Sequence, residues 1–177
     1  MTQGQTMTAD FDDTEQLRAG FLDAMARAAN TVFVVTTDGP AGKAGVTVTA
    51  MSSVSADVDR PRLLICLHHE SSTAQVIRAN GAFCVNMLGE GDAGLAQRFA
   101  GKTAPDADRF AEGNWGVTRA GLPMLLSAPA VFDCALSEET LVGTHHVLFG
   151  AVHEAHARED VAPLLYNARG YARPEGL

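Results

Sequence analysis

Between Gly45 and Ser55 the chain reads Gly-Val-Thr-Val-Thr-Ala-Met-Ser-Ser-Val-Ser. Val46, Val48, Ala50 and Val54 share one parity, and Thr47, Thr49, Ser53 and Ser55 the other. Alternate side chains of a strand point to opposite faces, so the stretch predicts a strand with one apolar face and one face of hydroxyls. Each hydroxyl donates one hydrogen bond and accepts two, a chemistry suited to gripping a polyoxygenated ligand. The same pattern also fits a solvent-facing strand in which Thr is favoured only because β-branched residues suit strands. Ser71-Ser72-Thr73 forms a second hydroxyl group, at the start of a helix expected to run through Ala79. Ser or Thr there caps helix N–H groups, and the remaining N–H groups suit a phosphate.

Other chemistries find little support. Glycines 39, 42 and 45 lack the GxGxxG spacing and do not lie between a strand and a helix, and no P-loop occurs. His68-His69 and His145-His146 are adjacent pairs, whose side chains on a strand would diverge. His153 and His156 are three apart, a helix spacing in a stretch that reads as strand. With no Cys/His or carboxylate cluster to complete a first shell, no metal is expected. No GxSxG elbow exists for a serine hydrolase. Cys134 with His145 is the one Cys–His combination, but a Cys inside an apolar strand reads as inert.

The elements that must position these groups are mostly strands. Residues 1–13 read as a flexible tail and 14–177 as one domain. Asp13 to Gln16 resembles a capping box, followed by a helix with Leu17, Phe21, Leu22, Met25 and Ala29 on one stripe. Strands are expected at Thr31–Thr37, Gly45–Ser55, Leu63–Leu67, Ala82–Leu88, Ala130–Leu136 and Leu141–Ala155, with Leu164–Tyr166 last. Gly143 suggests a bend in the sixth of these. Short helices fit between, one at Gly91–Ala100, and a long polar loop spans Gly101–Glu112. Strands do not alternate with full-length helices, so an antiparallel barrel with helices at its edges fits better than a doubly wound sheet.

Composition narrows the partners. The chain has 177 residues, 46% hydrophobic and 19% charged, enough for one sizeable core. Its net charge of −8 repels phosphate backbones and anionic lipid, so neither nucleic acid nor a membrane surface is an expected partner. Lys43 and Lys102 are the two lysines in this acidic chain. Cys66, Cys84 and Cys134 sit in apolar runs without a CxxC pairing, which points to buried reduced thiols. With no signal-like or membrane-spanning run, a cytoplasmic location is expected.

Several segments together resemble one family. Thr36-Thr37-Asp38-Gly39-Pro40-Ala41-Gly42, Gly45-Val46-Thr47-Val48-Thr49-Ala50 and Ser53-Val54-Ser55 are similar to the front half of the short-chain flavin reductases. Cys84-Val85-Asn86-Met87-Leu88 and Phe99-Ala100-Gly101-Lys102-Thr103 resemble the family's middle. Arg109-Phe110 with Trp115, Phe132-Asp133-Cys134, and Gly143-Thr144-His145 with Leu148-Phe149 continue the likeness, which covers about Phe21 to Tyr171. Thr144 stands where many members carry Asp. In this it resembles the reductases of pyrimidine utilisation and of 4-hydroxyphenylacetate monooxygenase. Arg60, beside Pro61, stands where many members have the first of two prolines.

The resemblance implies a mainly β fold with short helices, a homodimer of six-stranded antiparallel Greek-key split barrels of the FMN-binding type. It implies NADH or NADPH as hydride donor, FMN or FAD as acceptor, and a separate monooxygenase as recipient of reduced flavin. Thr47, Thr49, Ala50, Ser52 and Ser53 would meet the ring and ribityl chain, and Ser71 and Thr73 the phosphate. Asn86, Phe99, Gly101 and Lys102 would complete the pocket, with Tyr171 covering the ring. His145 would orient the nicotinamide without donating a proton. Stacked rings in the right orientation are what hydride transfer needs, so a site without paired carboxylates is consistent. A non-catalytic flavin-binding electron carrier fits the same barrel. A pyridoxamine-phosphate-type oxidase would call for a more basic phosphate site.

Overall fold

The computed structural model describes residues 14–101 and 108–176. The chain begins with α1 (Thr14–Met25), then β1 (Asn30–Thr31), β2 (Phe33–Thr37), β3 (Ala44–Val48), β4 (Met51–Ser55) and β5 (Arg62–His68). Helix α2 (Ser72–Asn80), β6 (Ala82–Met87) and α3 (Ala93–Phe99) follow. The second half is β7 (Trp115–Val117), β8 (Pro123–Leu125), β9 (Ala130–Val142), β10 (His145–Ala157), β11 (Leu165–Asn167) and β12 (Gly170–Ala172). The fold is therefore mainly β with three helices among the described residues.

Seven strands form one antiparallel sheet in the order β3-β2-β6-β9-β10-β5-β4. Its two edge strands are consecutive in the chain, joined by Thr49 and Ala50 alone. Laid flat, seven strands would hold their edges roughly 29 Å apart at normal strand spacing. Three Cα steps from Val48 to Met51 reach at most about 11 Å, so the sheet must curl until its edges approach. No ladder joins β3 to β4, so the hydrogen-bonded sheet stays open. The expected mainly β fold with short helices is present; the ladders themselves draw a curled, open sheet of seven strands where a six-stranded Greek-key split barrel was expected.

The curled sheet buries side chains on both faces. Inside lie Phe33, Val35, Val48, Ile65, Leu67, Phe83, Val85 and Leu148, with Ala74 and Ile77 of α2 against them. Outside, Val32, Val34, Cys84 and Val131 pack under Leu95, Ala96 and Phe99 of α3 and Leu122 and Leu125 beside β8. This explains why all five residues of β2 are buried. Cys84 and Cys134 are core thiols; burial pushes both pKa values up, that of Cys134 to about 12. They are packing residues, as their apolar surroundings suggest.

The single strand expected over Gly45–Ser55 is two strands with a slip between them. Val46 and Val48 face the inner cluster from β3. On β4 it is Met51 that packs there, opposite Ile65, while Val54 is 48% exposed. A tight turn at Ala50, where Met51 N–H bonds to Thr49 C=O at 3.1 Å, uses one residue without extending the chain. Side-chain parity therefore shifts by one, as it does at a bulge.

Two further expectations are corrected. Gly143 does not bend a strand; with Thr144 it forms the turn of the β9–β10 hairpin, at φ 57°, a two-residue loop position that favours glycine. Strand β9 continues through polar Ser137–Thr140, because ladder pairing with β10 extends beyond the core into solvent. The α1 stripe is not core: Leu17, Phe21, Leu22 and Met25 are 46–61% exposed and no α1 residue is buried. The capping box includes Asp13, outside the described residues.

Candidate functional site

Strand order brings three loop segments to one end of the sheet. Cys66 N–H bonds to the carbonyl of Ala50 at 3.1 Å, which sets Thr49 and Ala50 beside the C-terminal end of β5. On the other side of β5, His145 lies directly opposite His68 in the ladder. The hairpin turn is tied to the same end, because His69 N–H bonds to Thr144 C=O at 2.9 Å. Thr49 and His145 therefore lie about two strand spacings apart, roughly 10 Å. Thr49, Ala50 and His145 are all exposed. Thr144 Oγ1 is 3.1 Å from His145 Nδ1.

The chain then turns straight into α2. Ser71 N–H bonds to His68 C=O, and the Ser71 carbonyl accepts from Ala74 and Gln75. Ser71 occupies the N-cap without a side-chain capping bond. Ser72 and Thr73 supply the first N–H groups of the helix, which have no carbonyl one turn back within it. They line a cavity of about 280 Å³ together with Lys43, Ala44, Gly45, Asp108, Arg109 and Phe110. The Arg109 Nη1 donates to Gly45 C=O at 3.1 Å, which holds one of five guanidinium donors and aims the group along the cavity. Lys43 Nζ sits 4.0 Å above the Phe110 ring. Gly101, at φ 78°, lies next to Arg109.

Lys43, Arg109, the α2 N-terminus and the Ser72 side chain form a donor set that suits a phosphate, with the acidic Asp108 on the same wall. The site lies at the start of β3, and Thr49 follows that strand. Four residue steps along the strand lead from Gly45 to Thr49, roughly 13 Å. The arrangement accommodates an elongated ligand with a phosphate at one end and a hydrogen-bonding body along the hydroxyl edge. Sequence reasoning did not assign Lys43 or Arg109 to the site. The available signal was Lys43 beside the Gly39–Gly42 turn in a chain with so few lysines.

Not every expected residue joins this site. Ser52 is exposed, its Oγ donating to Ser53 C=O, and Ser53 lines an apolar-walled cavity of about 480 Å³ with Met51, Leu63, Phe132 and Val152. Thr47 Oγ1 donates to Ala96 C=O at 2.7 Å, so this hydroxyl pins α3 to the sheet. Thr73 is buried, its hydroxyl donating to Gly45 C=O at 3.1 Å, which leaves its backbone N–H and not its side chain for a phosphate.

The side chain of Asn86 is bonded within the core. It is fully buried; its Nδ2 donates to Val34 C=O and Thr36 Oγ1, and its Oδ1 accepts from Leu125 N–H. Phe99 is also fully buried, with Phe110 and Trp115 against its ring. Tyr171 belongs to the separate β1-β11-β12 sheet, packs edge-on against Tyr166 and lies against the outer core cluster. Polar or aromatic character alone does not foretell the burial of Asn86 and Phe99, which neighbours distant in sequence impose. Lys102 lies outside the described residues. Among the described residues no cluster of His, Cys, Asp and Glu could hold a metal, and no helix is long and apolar enough to cross a membrane.

A family model described as the flavin reductase like domain matches residues 25–175. The chain belongs to that family. It is 41% identical over 155 residues to the NADH-dependent FMN reductase RutF of Stutzerimonas stutzeri, covering 88% of this chain and 87% of that one. The NADH:FAD oxidoreductase SgcE6 of Streptomyces globisporus, solved with NAD and FAD fragments, superposes with a TM-score of 0.82 at 25% identity, over 94% of this chain and 98% of that one. BorF, the flavin reductase component of a bacterial two-component tryptophan halogenase, gives a TM-score of 0.78 at 25% identity, over 91% and 98%. The chain is accordingly an oxidoreductase of the flavin reductase kind.

Proposed function

We propose that this chain is an NAD(P)H-dependent flavin reductase that moves a hydride from nicotinamide to N5 of FMN, or FAD, and passes reduced flavin to a partner monooxygenase. The observation that carries this reading is the phosphate-suited cavity between Lys43, Arg109 and the α2 start, joined by β3 to the exposed Thr49–Ala50 edge near His145. The bound flavin and nicotinamide supply the redox chemistry. The chain's own residues bind and orient. Lys43, Arg109 and the Ser72 and Thr73 N–H groups hold the phosphate. Thr49 and the Ala50 backbone would hold the flavin ring edge, and His145 would orient the nicotinamide. Hydride transfer between stacked rings calls for binding and orientation and not for a proton on a side chain.

Two features of the wider assembly belong to the same proposal. The curled sheet acts as a six-stranded split barrel in which β3 and β4 together form one seam strand. The exposed apolar stripe of α1 supports a homodimer, because such a stripe is covered when a second chain packs against it. The test is catalytic NADH or NADPH oxidation with excess free FMN, followed at the nicotinamide absorbance. Many turnovers per chain support a reductase. A single equivalent of reduction would mark an electron carrier, and no oxidation of either nicotinamide would refute both.

A further inference from the structure

His145 is exposed and projects from a hairpin end, so something must hold its ring if it is to orient a second ring. One restraint is its contact with Thr144 Oγ1 at 3.1 Å. A single hydrogen bond leaves the imidazole free to pivot about it, and each freed rotor costs orientation when the ligand binds. The opposite strand supplies a second restraint. His68, paired with His145 across the β5–β10 ladder, meets that ring edge-on, with centroids 5.2 Å apart and planes at 87°.

His68 is itself held from two sides. Its Nδ1 accepts the Glu70 N–H at 3.3 Å. The His69 ring packs against it at 4.8 Å, tilted by 32°. The turn that carries these groups is closed by Ser71 N–H to His68 C=O at 2.9 Å and leads directly into α2.

We infer that His68 is a positioning residue for the nicotinamide half of the reaction: it fixes the His145 ring through the edge-on contact, while the Glu70 backbone fixes His68. The inference rests on the proposed role of His145 and extends it to its neighbour across the ladder. It also gives the His68-His69 pair, which the sequence leaves without a purpose, a function other than metal binding.

Steady-state kinetics with NADH and FMN varied separately test this, using His68→Ala, His68→Phe, His145→Ala and the His68→Ala/His145→Ala double variant. An edge-to-face ring contact supports an expected rise in the KM for NADH of about three- to tenfold for His68→Ala, with the KM for FMN moved less than twofold. His68→Phe keeps the ring edge and should return the NADH KM to within about twofold of the parent. The double variant should be no worse than His145→Ala alone, because two residues acting through one ring are not additive. If His145→Ala raises the NADH KM while His68→Ala does not, or if His68→Phe behaves like His68→Ala, the positioning role is overturned and the His145 role stands. If His145→Ala itself leaves the NADH KM unchanged, both fall.

Discussion

Asn86 offers the clearest separation between a ligand residue and a structural one. Replacing it by Ala removes an amide that joins β6 to β2 and to β8, through donations of 3.1 and 3.2 Å and an acceptance of 2.8 Å from Leu125 N–H. The side chain is fully buried, so water cannot take its place without rearrangement. Leaving Leu125 N–H without a partner costs about 1–3 kcal/mol, and the lost donations to Val34 and Thr36 add about 1 kcal/mol more. The expected destabilisation is therefore about 2–4 kcal/mol, a large part of the roughly 5–15 kcal/mol that holds a domain folded. Urea unfolding should show a lower midpoint with an unchanged slope, and the melting temperature should fall by roughly 5–15 °C. FMN affinity of the folded variant should stay within about threefold of the parent. A variant as stable as the parent that loses FMN binding more than tenfold would refute the placement of Asn86 in the core.

Three further outcomes follow from the structure. Lys43→Ala and Arg109→Ala should each weaken FMN about tenfold and riboflavin, which lacks the phosphate, hardly at all, with the FMN effect shrinking in high salt; equal losses for both ligands would remove the phosphate assignment. Gly45→Ala should cost about 1–3 kcal/mol in denaturant unfolding, because a Cβ there would stand 2.6 Å from the Phe99 ring; an unchanged midpoint would show that α3 can shift freely. Burial raises the Cys134 thiol from 9.0 to about 12, so the unfolded chain loses this proton first as pH rises. Stability from this group is complete below pH 9 and declines by about 1.4 kcal/mol per pH unit between 9 and 12. Cys134→Ala should flatten the slope of stability against pH in that window by this amount.

Much of the architecture was legible in the chain. Alternation and apolar runs located the main strands, and the turn residues and the hydroxyls at Ser71–Thr73 located the start of α2. The acidic composition and the lack of nucleophile and metal motifs turned the expectation away from nucleic acid, metal and serine-hydrolase chemistry. Those are local signals, carried by spacing within one segment, and they needed no partner strand to be read.

What no segment could settle is which side of a residue faces what. The one-residue slip at Ala50, which turns Met51 inward, comes from a turn that fits the curl of the whole sheet, and Val54 stands outward at a second irregularity between Ser53 and Ser55. Asn86 and Phe99 are core because β8 and the Phe110–Trp115 pair close over them from elsewhere in the chain. Lys43 and Arg109 meet in one cavity, and His68 meets His145, only through sheet order and ladder register. The sequence determined the elements and the kinds of chemistry available; long-range strand pairing decided which polar groups were spent on holding the fold and which were left facing a ligand.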